Sequence, residues 1–293
     1  MTVIEKAYAK INLMLDVVGK RPDGYHDLVT VMQSVSLCDT LTVSRREDMA
    51  LHVRADAGLP TDEENLAVRA IHAYFKESGA PFGVSLVLKK QIPMQAGLGG
   101  GSSDAAAMLR ALNRLDGDRF SPERLCEIGA TIGADVPFCV MGGTRVCRGI
   151  GEQMQPIKNR LQAYAVVAMA GEGISTPRAF ADLDERYGDF ALPAKQAKER
   201  LPLLQQALEE GDLPKAAPLL YNRFEELVAA QRPAVGQLLD ALRAHGAIAA
   251  RMSGSGPAVF GLFSQQGEAH AAAEALQTTG ARAFFCDLAK ASL

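Results

Sequence analysis

At 293 residues the chain is long enough for one large domain or two ordinary ones, and a hydrophobic fraction of 48% can fill a sizeable core. The formal net charge of −3 provides no global field for nucleic acid or an anionic membrane, so an anionic ligand must be captured by local groups. Cys38, Cys126, Cys139, Cys147 and Cys286 are odd in number, widely spaced and without a CxxC pair. They read as reduced thiols of a cytoplasmic protein, mostly core, and not as a metal cluster.

From Lys6 onward the N-terminus alternates polar and apolar residues, which fits neither a signal peptide nor a membrane span. Between Ala7 and Val17 the odd positions are apolar, while the even ones carry Tyr8, Lys10, Asn12, Met14 and Asp16. This pattern predicts a strand with one core face and one polar face, and puts Lys10 and Asn12 on the same face. A solvated strand face is the plain alternative. Arg21-Pro-Asp-Gly24 carries the residues of a type I turn. Tyr25 and His26 follow at once, ahead of a β-rich run from Leu28 to Leu37. An aromatic and a histidine just after a tight turn fit a ligand-binding lip, and equally a turn packed on the sheet.

Thr61-Asp-Glu-Glu-Asn65 is expected to open a helix with Leu66, Val68, Ile71 and Phe75 on its apolar face. Acidic residues suit such a start. Val84 to Lys90 then alternates like a strand. Next comes a glycine-rich run from Pro93 through Met94, Gln95, Ala96, Gly97, Leu98, Gly99, Gly100, Gly101, Ser102 and Ser103 to Asp104. Ala105, Met108, Leu109, Leu112 and Leu115 follow at helical spacing. Ser102 or Ser103 is the expected N-cap, with Asp104 in the first turn. Four glycines permit positive φ and close approach of the backbone, and free N–H groups at a helix N-terminus bind phosphate. No lysine precedes Ser102, so this is not a P-loop, and Ser102 replaces the last glycine of a dinucleotide fingerprint. A flexible glycine-rich turn is the plain alternative.

Ser121-Pro-Glu starts another helix, with Leu125, Ile128 and Ile132 buried and Gly133 ending it. Asp135 sits in the apolar loop Gly133-Ala-Asp-Val-Pro-Phe138, where an acid needs partners; capping its own turn would be the ordinary use. The character changes near Lys158. A strand is expected from Tyr164 to Ala170, then a helix-rich stretch from Thr176 to His245. Two strands, Ile248 to Met252 and Ala258 to Phe263, flank Ser253-Gly-Ser-Gly-Pro257. A helix from Glu268 to Gln277 and a strand from Arg282 to Leu288 close the chain. That order suggests a second α+β layer, helices on one face of an antiparallel sheet.

Six segments together resemble the GHMP kinase superfamily, the galactokinase, homoserine kinase and mevalonate kinase relatives. They are Ala9-Lys-Ile-Asn-Leu13, Arg21-Pro-Asp-Gly-Tyr-His26, Glu64-Asn-Leu66, Pro93 to Ser103, Gly133-Ala-Asp-Val-Pro137 and Met252-Ser-Gly-Ser-Gly256. The match looks closer still to members whose substrate is a methylerythritol carrying a cytidine diphosphate. One departure is Gln95-Ala96, where the family often has glycine.

The resemblance implies an α+β, two-domain architecture. A ribosomal S5 domain 2-like, ATP-binding N-terminal domain would cover 1–152 and a ferredoxin-like domain 153–293, with the site between them. It implies ATP-dependent phosphorylation of the 2-hydroxyl of the methylerythritol unit, with ATP and Mg²⁺ as cofactors. Lys10 and Asp135 would be the catalytic pair. A carboxylate positioned on a hydroxyl can take its proton, and a lysine beside it stabilises charge on the phosphoryl oxygens. Pro93 to Ser103 would wrap the ATP phosphates, with Ser102 near the metal, whereas Asp104 supplies no obvious metal ligand. Asn65 matches an adenine contact. Asn12, Tyr25 and His26 match the cytidine-side pocket, with Phe180 over the cytosine ring. No nucleic acid or membrane partner is implied, and the enzyme would be a monomer or homodimer. The alternatives are another GHMP kinase, for homoserine or mevalonate, and a catalytically silent nucleotide-binding regulator, against which Lys10 and Asp135 both speak.

Overall fold

The computed structural model describes residues 1–56, 58–188 and 190–288. Two long strands, β1 (Thr2–Lys20) and β2 (His26–Arg46), form an antiparallel hairpin. Its turn is closed by the Gly24 N–H donating to the Arg21 carbonyl at 3.1 Å. Both strands run beyond their apolar windows. The register shifts between Tyr8 and Lys10, Asn12 and Met14, and Val17 and Gly19. Such bulges re-aim side chains while pairing continues. The first half of β2 pairs with β5 (Thr144–Gly149), which carries β6 (Gln153–Pro156); the second half pairs with β4 (Gly83–Lys89), which carries β3 (Leu51–Ala55) in parallel. Helices α1 (Leu66–Ser78), α2 (Gly100–Leu115), α3 (Pro122–Ala130) and α4 (Val136–Met141) close over this sheet, around Leu41, Leu86, Ile71, Tyr74, Met108 and Leu112.

Helices α5 (Thr176–Tyr187), α6 (Ala191–Glu210) and α7 (Leu213–Ala216) come next, then a 3-10 turn over Ala217–Leu219. The chain then returns to the first sheet through β8 (Tyr221–Asn222), a two-residue strand parallel to β1 at Met14 and Leu15. Helices α8 (Glu225–Gln231) and α9 (Pro233–Ala244) lead into the second sheet. That sheet comprises β7 (Tyr164–Met169), β9 (Ala249–Met252), β10 (Val259–Phe263) and β11 (Arg282–Asp287), antiparallel in the order β11-β7-β10-β9, with α10 (Gln266–Thr278) before its last strand. This is the ferredoxin-like order. Ile11 and Leu13 of β1 share a core with Val167 and Phe260 of the second sheet. The polar face of β1 is therefore no solvated face: Lys10 is 4% exposed and Asn12 1%.

Two expected helix starts move. Helix α2 begins at Gly100, capped by Gly99 at φ 68°, so Ser102 and Ser103 lie inside its first turn instead of capping it. Helix α1 begins after Asn65, whose Oδ1 accepts from the Ala67 N–H; the acids at 62–64 precede the helix in a turn closed by the Asn65 N–H on the Asp62 carbonyl. All five cysteines are free thiols.

Candidate active site

A cavity of about 1200 Å³ is lined by β1, the glycine-rich loop, the start of α4, the Tyr25–His26 corner, α5 and Ser255. Lys10 enters it from β1, where its backbone N–H donates to the Leu98 carbonyl at 3.0 Å. Its Nζ donates to Asn12 Oδ1 at 2.8 Å and lies 3.7 Å from Asp135 Oδ2. Asp135 stands at the N-terminus of α4, yet its side chain makes no capping bond. Its carboxylate is thus free of the local duty an acid at that position usually has.

The loop is pinned by its carbonyls. Those of Gln95, Ala96, Gly97 and Leu98 accept, respectively, from the Ile174 N–H, the Ala258 N–H, Ser253 Oγ and the Lys10 N–H. What the loop and the first turn of α2 can still offer a ligand is N–H groups. Gly97 and Gly99 have φ of 78° and 68°, and so does a non-glycine: Gln95 has φ 51°. The departure at Gln95 therefore falls where glycine would be most at ease. Gly100 and Gly101 are helical.

Of the residues singled out from the sequence, Ser103 alone does not line the cavity. Its hydroxyl donates to the Tyr8 carbonyl at 2.5 Å and lies 3.2 Å from Cys139 Sγ, turned into the core. Asn65 lines the cavity, but its amide caps α1 and donates to the Pro60 carbonyl. Asn12 lines the cavity with Tyr25 and His26 and is also a partner of Lys10: its Oδ1 accepts from the Gly254 N–H at 2.9 Å as well, and its Nδ2 donates to Thr30 Oγ1.

Beneath the loop lies a cluster that strand alternation could not reveal. Lys90 Nζ donates to both Asp39 and Asp104. Asp39 also accepts from the N–H groups of Gln91 and Ile92. Burial pushes the Asp104 carboxyl up to about 7, with Asp39 adding to the shift and Lys90 opposing it. Lys90 engages Asp104 through Oδ2, while Asp104 Oδ1 has no hydrogen-bond partner among the described residues. Within the same cavity His26 stacks on Phe180, with centroids 4.8 Å apart and planes at 23°. His26 Nε2 lies 2.7 Å from Asp184 Oδ1, and Lys20 Nζ donates to Asp184 Oδ2 at 2.6 Å. Burial acts to raise the Asp184 carboxyl, but the hydrogen bonds from Lys20 and His26 outweigh it and hold it below the usual range. The only sequence signal for Asp184 was its place one turn after Phe180 on the same helix. Tyr25, 61% exposed, forms the lip.

The GHMP kinases N terminal domain model matches residues 65–143, and the GHMP kinases C terminal model matches 204–282. The chain belongs to the GHMP kinase family. A 4-diphosphocytidyl-2-C-methyl-D-erythritol kinase of Caldicellulosiruptor saccharolyticus is 40% identical to this GHMP kinase over 276 residues, 94% of this chain and 93% of the relative. A crystal structure of 4-(cytidine 5'-diphospho)-2C-methyl-D-erythritol kinase superposes with a TM-score of 0.80 at 35% identity, covering 97% of this chain and 98% of that one. A homoserine kinase from Cytophaga hutchinsonii also gives a TM-score of 0.80, at 19% identity over 98% of this chain and 95% of its own, and so shares the fold.

Proposed function

We propose that this GHMP kinase transfers the γ-phosphoryl group of ATP to the 2-hydroxyl of 4-diphosphocytidyl-2-C-methyl-D-erythritol, the substrate in its relatives' names. One observation carries the reading. The Lys10–Asp135 pair shares a single cavity with the glycine-rich loop and with the His26–Phe180–Asp184 group. The loop and the N-terminus of α2 suit a triphosphate. The aromatic group suits a pyrimidine, and the Lys10–Asp135 pair suits the reacting hydroxyl. As the new oxygen–phosphorus bond forms and the bond to the leaving ADP breaks, the hydroxyl proton passes to the Asp135 carboxylate. The Lys10 ammonium stabilises charge on the transferring group.

Among the described residues no group of three His, Cys, Asp or Glu could hold a metal. Mg²⁺ therefore fits as an ion carried mainly by the nucleotide phosphates, with the Ser102 hydroxyl as the residue that would hold it; when bound, it neutralises phosphate charge. Asn12 and Asn65 are better read as orienting Lys10 and shaping the base pocket than as free ligand donors. We read the unit that binds ATP as 1–152, the second domain as 153–293, and the enzyme as cytoplasmic, in keeping with five free thiols. Among the described residues no helix is long and apolar enough to cross a membrane.

The test is ADP release with a panel of acceptors: the cytidylylated substrate, free methylerythritol, homoserine and mevalonate. The expected outcome is a kcat/KM for the cytidylylated substrate far above the other three. Preferred use of homoserine or mevalonate would replace the substrate assignment, and no turnover with any acceptor would favour a silent nucleotide binder.

A further inference from the structure

We propose that Asn222 is a positioning residue for the Lys10–Asp135 pair, acting through the Ser253–Gly256 loop. The inference rests on the reading of that pair as the reacting groups. Asn222 lies on β8, opposite Leu15 of β1, and is 4% exposed. Its amide is fully used. The Nδ2 group donates to the carbonyls of Met252 at 2.7 Å and Gly254 at 2.9 Å, and Oδ1 accepts from the Phe224 N–H at 2.9 Å. A primary amide on a short side chain offers two donors and an acceptor from one point, which neither serine nor aspartate can do.

The bonds continue toward the site. Gly254, at φ 56°, has its carbonyl held by Asn222 and gives its N–H to Asn12 Oδ1. That same oxygen accepts from Lys10 Nζ at 2.8 Å, and Lys10 Nζ faces Asp135. On its other side the loop touches the glycine-rich loop, where Ser253 Oγ donates to the Gly97 carbonyl at 2.9 Å. A Cβ built on Gly97 would lie 2.1 Å from the Ser253 carbonyl oxygen, and one on Gly254 would lie 2.8 Å from the Gly97 oxygen. The two backbones are thus in contact with no slack. A shift of the Ser253–Gly256 loop has to move either Asn12's partner or the glycine-rich loop. Residues far apart in sequence set where the Lys10 ammonium stands, and catalysis is sensitive to errors of about 1 Å in such placement.

Glu225 provides the comparison. Its carboxylate accepts from the Met252 N–H at 2.7 Å, so it caps the same end of β9. It makes no bond to Gly254 or Asn12 among those the structure describes. Asn222→Ala, Glu225→Ala and Asp135→Asn are to be assayed with ATP and the cytidylylated substrate, alongside melting temperatures. Both alanine variants should melt lower. Asn222→Ala should lose about tenfold or more in kcat, a larger change than in KM for ATP, while Glu225→Ala keeps kcat within about twofold, as expected when only stability is lost. Combined with Ser253→Ala, the loss in Asn222→Ala should be less than additive, because both act through one loop. If Asn222→Ala does not fold, Asn222→Ser, which keeps one donor, takes its place with the same expected split. A parental kcat in Asp135→Asn would remove the pair itself from the reaction. Loss of turnover in Asp135→Asn with parental kcat in the Asn222 variant would overturn only this inference, as would equal kcat losses in the Asn222 and Glu225 variants.

Discussion

Asp135 opens α4 without capping it, and the nearest cation is the buried Lys10. A carboxylate with no local structural task, facing a cavity, is best explained by chemistry on a ligand. Asp135→Asn keeps the shape and removes the proton acceptor, so kcat should fall by about 10²–10⁴. ATP affinity, measured by equilibrium binding, should stay within a fewfold; a parental kcat would take Asp135 out of the mechanism. Asp104 is a different case. With Asp39 it shares the single ammonium of Lys90, so the cluster carries one negative charge too many when both acids are ionised. Its raised value means that the folded chain keeps a proton which the unfolded chain releases from about pH 4 upward. The stability contributed by this group is present below that window and lost as pH rises through it to about 7. Lys90, also pushed up, titrates above the window. Asp104→Asn removes the titration, so its melting temperature relative to the parent should rise between pH 5 and pH 8. A flat or falling difference would show that Asp104 is ionised on Lys90 throughout.

The strand, loop and helix around residues 84–115 were legible because the apolar period changes from two to that of a helix across the glycines. The cap was not. Serine is favoured at N-caps by a local bond, but here Gly99 takes a left-handed φ with Lys10 packed against it: an added Cβ would stand 3.0 Å from Lys10 Cγ. That neighbour comes from another strand, so no local rule could name it. The strand β8 was equally hidden, since two residues carry no period and the pairing with β1 is tertiary. Positive φ expected of the glycines as a group belongs to Gly97 and Gly99 only. Gly97→Ala meets both a left-handed backbone and the Ser253 oxygen 2.1 Å from its Cβ. It should destabilise by more than about 2 kcal/mol and weaken ATP binding. In Gly100→Ala the new Cβ meets Ile92 Cγ2 at 3.0 Å, the end of a side chain, within a helix. Helix propensity and that contact oppose each other, and the net change should stay within about 1 kcal/mol. Equal losses in chemical denaturation would refute the distinction.

The part of the cavity proposed for the pyrimidine is assembled across the molecule, from the corner after the Arg21–Gly24 turn and from α5, more than a hundred residues apart. The sequence showed His26 and Phe180 separately and could not show that they stack, or that Asp184 accepts from His26 Nε2. That bond orients the imidazole against the Phe180 ring. Phe180 also meets Phe224 edge-on at 5.0 Å while lining the cavity, so it has a core contact beside its proposed role as a platform. The two roles predict different losses. As core alone, Phe180→Ala would lower the melting temperature and leave the choice of base untouched. As a platform, stacking contributes about 1–3 kcal/mol per base, and such remote binding energy helps orient the reacting hydroxyl. The expected result for Phe180→Ala is a kcat/KM for the cytidylylated substrate lower by about tenfold or more, with KM for ATP unchanged. The parent should prefer the cytidine form over the uridine form, and both Phe180→Ala and His26→Ala should narrow that preference. If the parent uses both bases equally, the aromatic pair does not read cytosine, and its stacking serves only to close the corner of the sheet against α5.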